Sequence, residues 1–116
     1  MSDCIFCKIV EGKIPSKKVY EDDDLYAFHD INPAAPVHVL VIPKQHIESL
    51  ADCAPEHAEL LGRLFAKLGD IARDQGLVDG FRTIVNTGRV GGQEVYHLHA
   101  HILGGPQPVG PMLVRR

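Results

Sequence analysis

Across residues 55–75 the apolar positions Leu60, Leu61, Leu64, Phe65, Leu68, Ile71 and Ala72 recur at spacings of three and four, while Glu59, Arg63, Lys67 and Asp74 take the opposite side. That period predicts one long amphipathic helix. Pro55 suits its first position, Glu56 and Glu59 suit the positive end of its dipole, and Gly76 suits its stop. Gly62 and Gly69 inside it each cost about 1 kcal/mol relative to alanine, which predicts a close approach to the helix backbone. Elsewhere the pattern is short and β-like. Residues 18–22 and 25–30 read as two strands around an acidic turn at Asp22, Asp23 and Asp24. Residues 38–42 form a β-branched run stopped by Pro43, and residues 81–86 and 95–103 read as two further strands joined through Gly88, Gly91 and Gly92. Residues 4–10 offer Ile5, Phe6, Ile9 and Val10 for the face of a short N-terminal helix. The expected fold is α+β: a five-stranded antiparallel sheet, covered on one face, with one long helix and one short helix.

The 116 residues, 45% hydrophobic and 23% charged, predict a single domain over 1–116 with an extended Gly/Pro-rich tail from about residue 104. A net charge of −3 without a basic stripe argues against DNA or RNA as a partner and favours a small polar ligand. No apolar run approaches a membrane span, and residues 1–8 lack the apolar stretch of a secretory signal, so a cytoplasmic protein is expected. Three cysteines, Cys4, Cys7 and Cys53, are an odd number that argues against a disulfide framework.

The chemistry concentrates at His97, His99 and His101. On a strand these rings share one face while Leu98, Ala100 and Ile102 take the other. Buried without a function, their ring nitrogens would each lose roughly 1 to 3 kcal/mol if unpaired. A single metal held by all three is awkward, since a rise of about 3.3 Å per residue separates His97 from His101 by roughly 13 Å at Cα. The middle ring suits a nucleophile, with its neighbours orienting it and donating hydrogen bonds. Just upstream, Gly91-Gly92-Gln93 lets backbone amides approach an oxyanion, with the Gln93 amide as a further donor, which points to phosphate.

The run Gly92-Gln93-Glu94-Val95-Tyr96-His97-Leu98-His99-Ala100-His101-Ile102-Leu103 resembles the signature of the histidine triad (HIT) family of nucleotide hydrolases and transferases. The likeness continues through Ile5-Phe6, Lys8-Ile9, Ile14-Pro15, residues 27–31, His38, residues 40–44 and Asn86, and is to the Hint branch of small dimeric purine nucleoside phosphoramidases. The resemblance implies that His99 attacks the α-phosphorus of an AMP-amine and forms a nucleotidyl-histidine that water then cleaves. It implies that His97, His101 and His38 complete the catalytic set, with His38 orienting His99 through a hydrogen bond. It places Asp30 on the ribose hydroxyls, Ile5, Phe6, Ile9, Phe28, Ile31 and Leu40 around the base, and Asn86, Gly92, Gln93, Glu94 and Val95 along the nucleotide. It also implies a homodimer and no organic cofactor. Dinucleoside polyphosphate hydrolysis is an alternative within the class, and a nucleotide- or zinc-binding regulatory module is one outside it.

Cys4 and Cys7 have the spacing of two ligands of a tetrahedral zinc, which needs more. In some members of the family the set is completed by residues that correspond here to His46 and His97, so a structural zinc pinning the N-terminal segment is implied. One position departs from the family. Glu94 stands where many members carry serine, near the leaving group, where a carboxylate can relay a proton or favour a cationic amine such as lysine.

Overall fold

The computed structural model describes residues 3–112, so both ends of the expected 1–116 domain lie outside the described residues. Its elements are α1 (Ile5–Val10), β1 (Lys18–Glu21), β2 (Leu25–His29), β3 (Val37–Pro43), α2 (Ala58–Asp74), β4 (Arg82–Ile84), α3 (Gly88–Gly91) and β5 (Ala100–Gly104). The strands form one antiparallel sheet in the order β1-β2-β3-β5-β4. The acidic turn between β1 and β2 is held by Asp22, whose Oδ1 accepts the N–H groups of Asp24 and Leu25.

Alternation along the strands sorts the core into two layers. Leu25, Ala27, Val39, Val41, Ala100 and Ile102 pack against Leu60, Leu64, Leu68, Ile71 and Ala72 of α2. The intervening positions Tyr26, Phe28, Leu40 and Ile42 turn to the other face, where they meet Phe6 and Ile9 of α1. Both faces are therefore covered, one fully and one in part, where the sequence suggested one. Past Gly104 the described tail forms no helix or strand, and Arg82 donates to the carbonyl of Gly110.

The long helix begins with a tight turn at Pro55–His57 and becomes α-helical at Ala58. No atom outside the helix lies within 4 Å of a Cβ built on Gly62, and at Gly69 only the side chain of Arg73 approaches, so the expected close packing is not made within one chain. Phe65, one of the apolar positions at helical spacing, is 46% exposed.

The largest correction falls on the histidine segment. The strand expected over 95–103 exists only from Ala100, so His97 and His99 precede it. The β3 ladder explains why. His38 and Lys44 bond toward the β2 side, so the odd positions of β3 turn their polar groups toward β5. The register that pairs Val41 with Ala100 would bring Pro43 opposite Leu98, and proline has no N–H to donate. The ladder stops there, and the N–H of Leu98 goes to the carbonyl of Ile47 over 2.7 Å.

Candidate active site and metal centre

The Pro43 carbonyl, unused by the ladder, accepts from Nε2 of His97 over 2.8 Å. His97 is fully buried and its pKa is pushed down to about 4, chiefly by burial, with His46 and His99 adding to the effect. The ring's proton thus sits on Nε2 and Nδ1 is a bare lone pair.

His99, 6% exposed, places Nδ1 2.8 Å from the carbonyl oxygen of His97. A carbonyl only accepts, so Nδ1 carries the proton and the lone pair is on Nε2, which bonds to no described residue. Phe6 meets this ring edge-on at 5.2 Å. The middle histidine is thus held in the tautomer a nucleophile requires.

His101 lies at the end of a relay. The backbone N–H of Ala34 donates to Nδ1 of His38 over 3.0 Å, which leaves the proton of His38 on Nε2; that atom lies 2.9 Å from Nδ1 of His101 and donates to it. His101 then carries its own proton on Nε2, which is buried and has no hydrogen-bond partner among the described residues. The bond expected from His38 to His99 is not made. His38 pairs with Leu103 across the ladder, and its diagonal neighbour on β5 is His101, nearer than His99. Burial depresses His38, with Asp30 opposing, and drives His101 down to about 4 with help from His99 and His38. Both rings are neutral at pH 7.

Asp30 divides its carboxylate. Oδ1 accepts the N–H of Asn32 over 2.8 Å and closes the turn, while Oδ2 lies 3.5 Å from Nε2 of His38. Asp30, His38 and His101 are close enough to suggest a cation site. The relay argues against it, because the nitrogen of His38 that faces the other two groups carries a proton.

The second cluster has the opposite character. Cys4 Sγ, Cys7 Sγ and Nδ1 of His46 converge on the bare Nδ1 of His97 at 3.3, 3.5 and 3.2 Å, and Cys7 Sγ lies 3.4 Å from Nδ1 of His46. Ligands about 2.0 to 2.3 Å from a tetrahedral zinc are separated by about 3.3 to 3.8 Å along the edges of the tetrahedron. The observed spacings match that figure closely, and the N–H of Cys7 already donates to Cys4 Sγ. Burial and the neighbouring Cys4 push the Cys7 thiol up to about 11. A cation would reverse that preference. The four ligands foreseen from the sequence are thus brought together.

Upstream of the triad, α3 ends at Gly92 in a left-handed conformation, φ +82°, that favours glycine. Gln93, expected to offer its amide to a phosphate, spends it on the protein. Its Nε2 donates to the carbonyls of Glu48 and Val95 at 2.7 and 3.0 Å, and its Oε1 accepts from the N–H of Gly88 at 2.9 Å. It braces the loop from inside, 6% exposed.

Two clefts flank these rings. Asp30 and His38 line one of about 650 Å³ together with Ser16, Lys17, His29 and Ile31. Glu94 lines another of about 490 Å³ with Asp3, Ile5, Glu48, Val95 and Tyr96. Of the expected base-binding residues, Phe6, Ile9, Phe28 and Leu40 are buried in the second core layer, Ile5 is 45% exposed and Ile31 88% exposed. Asn86 follows the end of β4 and is half-buried. Ser16, Lys17 and His29 were not singled out from the sequence; the signal was their position, His29 beside Asp30 at a strand end and Ser16 just after Ile14-Pro15.

A family model described as scavenger mRNA decapping enzyme C-term binding matches residues 3–112. Protein HitA of Neisseria gonorrhoeae is 58% identical over 106 residues, covering 91% of this chain and 99% of that one. A purine nucleoside phosphoramidase of Escherichia coli (strain K12) is 49% identical over 115 residues, covering 98% and 96%. Among solved structures, a histidine triad protein from Clostridium difficile superposes with a TM-score of 0.88 at 50% identity, covering 93% of this chain and 95% of that one.

Proposed function

Because the chain belongs to the histidine triad family, we propose that it hydrolyses purine nucleoside 5'-phosphoramidates, AMP-amines among them, through a nucleotidyl-histidine on His99. The observation that carries this reading is the fixed tautomer of that ring, with Nδ1–H on the His97 carbonyl and an unbonded Nε2. In the first step the Nε2 lone pair forms a bond to the α-phosphorus and the phosphorus–amine bond breaks, the amine taking up a proton from solvent as it leaves. In the second, water forms the oxygen–phosphorus bond and gives up a proton to solvent, the histidine–phosphorus bond breaks with its electron pair returning to Nε2, and the nucleoside monophosphate departs. The Nε2–H of His101, buried and without a partner among the described residues, serves as donor to a non-bridging phosphoryl oxygen once the groups that cover it give way. Asp30, with one oxygen engaged only at 3.5 Å, serves the ribose hydroxyls, and Ile5, Phe6, Ile9, Phe28, Ile31 and Leu40 the base. Asn86 and the 92–95 backbone follow the sugar and phosphate. Glu94, in an acidic cleft with Asp3 and Glu48, favours a cationic leaving amine.

Cys4, Cys7, His46 and His97 would hold a structural zinc, which when bound supplies a clamp between α1 and the triad segment. A homodimer is supported by the open edge of β4, exposed Phe65, Phe81 and Ile84, and the uncovered backbone at Gly62. No helix among the described residues is long and apolar enough to cross a membrane. The three free cysteines fit the cytoplasmic location read from the sequence.

Acid-quench labelling with a phosphorus-labelled AMP-amine tests the activity. The protein should carry label that disappears in His99→Ala, and turnover without an adduct would overturn the covalent route.

A further inference from the structure

His97 faces two ways. Its Nδ1 points into the cluster of Cys4, Cys7 and His46, and its backbone carbonyl, 2.8 Å from Nδ1 of His99, selects the tautomer of the proposed nucleophile. Its remaining nitrogen is tied to Pro43. We propose that the metal centre is a positioning device for the nucleophile: ligation of His97 fixes the peptide carbonyl that keeps the proton of His99 on Nδ1, so metal occupancy sets the reactivity of a ring that never touches the metal. This rests on the zinc and nucleophile assignments above and adds a coupling between them.

Three observations carry the coupling. The segment containing His97 and His99 is outside the β5 ladder, and the peptide that bears the His97 carbonyl is held through the N–H of Leu98 by the carbonyl of Ile47, the residue next to the ligand His46. Cys4 and Cys7 flank Phe6 on α1, and Phe6 touches both rings edge-on, at 5.9 Å for His97 and 5.2 Å for His99. The same four ligands therefore govern both the carbonyl below the nucleophile and the apolar wall beside it. Finally, His46, on the loop after β3, is exposed and among the described residues hydrogen-bonds to Cys7 and His97 and not to His99, so it offers a way to perturb the clamp from outside the proposed active site.

The test uses the full chain labelled with nitrogen-15 in histidine. Metal content, the His99 ring shifts, kcat and KM are measured for wild type as purified with zinc, for wild type stripped with a chelator and then refilled, and for His46→Ala and His46→Cys. Wild type with zinc should show His99 in the single Nδ1–H form. Stripping and His46→Ala should give averaged ring shifts of mixed tautomers and lower kcat about tenfold to a hundredfold, with KM moving less than about threefold. Refilling, and the thiolate ligand of His46→Cys, should restore both. A stable metal-free protein with unchanged ring shifts and kcat overturns the coupling while leaving the zinc centre standing. A wild type that binds no zinc overturns the metal assignment and the coupling with it. Because the ring shifts need no substrate, they read the coupling even if the phosphoramidase reading fails.

Discussion

His38 donates to His101 over 2.9 Å, and the direction of that bond is set from outside the triad by the N–H of Ala34. Replacing His38 with alanine leaves the buried Nδ1 of His101 without a donor, a loss of about 1 to 3 kcal/mol of stability. It also frees His101 to move its proton to Nδ1, which would turn an acceptor toward a phosphoryl oxygen. The expected result is a fall in kcat of about tenfold to a hundredfold, in the range of a lost oxyanion donor. His38→Gln, which keeps an N–H at a similar reach, should recover part of it. Steady-state kinetics on both variants check this, and equal losses would show that the donor is not what matters.

The neutral rings predict an acid-sensitive fold. Free histidine titrates near 6.5, while His101 in the folded protein is held at about 4. Between those values the unfolded chain takes up a proton that the folded chain refuses. Stability from this ring is therefore complete above about pH 6.5 and is lost as pH falls from there toward about 4. Denaturant midpoints measured across that window should decline, and His101→Gln, compared in the same metal state, should decline less steeply.

Gln93 bridges three stretches of chain, through Gly88, Glu48 and Val95. Gln93→Ala should lower stability by about 2 to 4 kcal/mol, since several buried backbone groups lose partners at once. Gln93→Glu keeps the shape but cannot donate to the two carbonyls and should be no better. Thermal unfolding of both variants provides the measurement, and near-wild-type melting of Gln93→Glu would rule out the brace.

Glu94 shares its cleft with Asp3 and Glu48. Glu94→Ser should reduce the preference for a lysyl phosphoramidate over one with an uncharged amine by about threefold to tenfold, with the difference shrinking as salt is added, as expected for a partly exposed charge. Relative kcat/KM for the two substrates at two ionic strengths decides it; unchanged ratios would remove Glu94 from leaving-group selection.

The homodimer proposed above, if paired through the open edge of β4, predicts that Ile84→Lys weakens it, because a charge on an exposed strand edge opposes edge-to-edge pairing. Light scattering over a concentration series would show a shift toward monomer, whereas an unaltered mass would move the interface elsewhere.

The elements that the sequence announced were those whose information is local. The three- and four-residue spacing of Leu60, Leu64, Leu68 and Ile71 needs no partner to be read, and these residues are buried as the spacing requires. Cys4, Cys7, His46 and His97 converge as the family pattern implied, although 93 positions separate the first from the last. What escaped is non-local. Whether His38 meets His99 or His101 depends on the β3–β5 register, which no periodicity contains. Whether Gln93 turns outward to a ligand or inward to Glu48 depends on a loop 45 positions away. The start of the histidine strand was mislocated because its cause sits at Pro43 on the neighbouring strand.

Pro43 gives the molecule its sharpest asymmetry. With valine there the sheet would zip one rung further, Leu98 would claim the oxygen that now steadies an imidazole, and two of the three rings would be spread along a flat ribbon. The arrangement of the three histidines is in this sense specified by a single subtraction, one atom withheld from an otherwise regular weave.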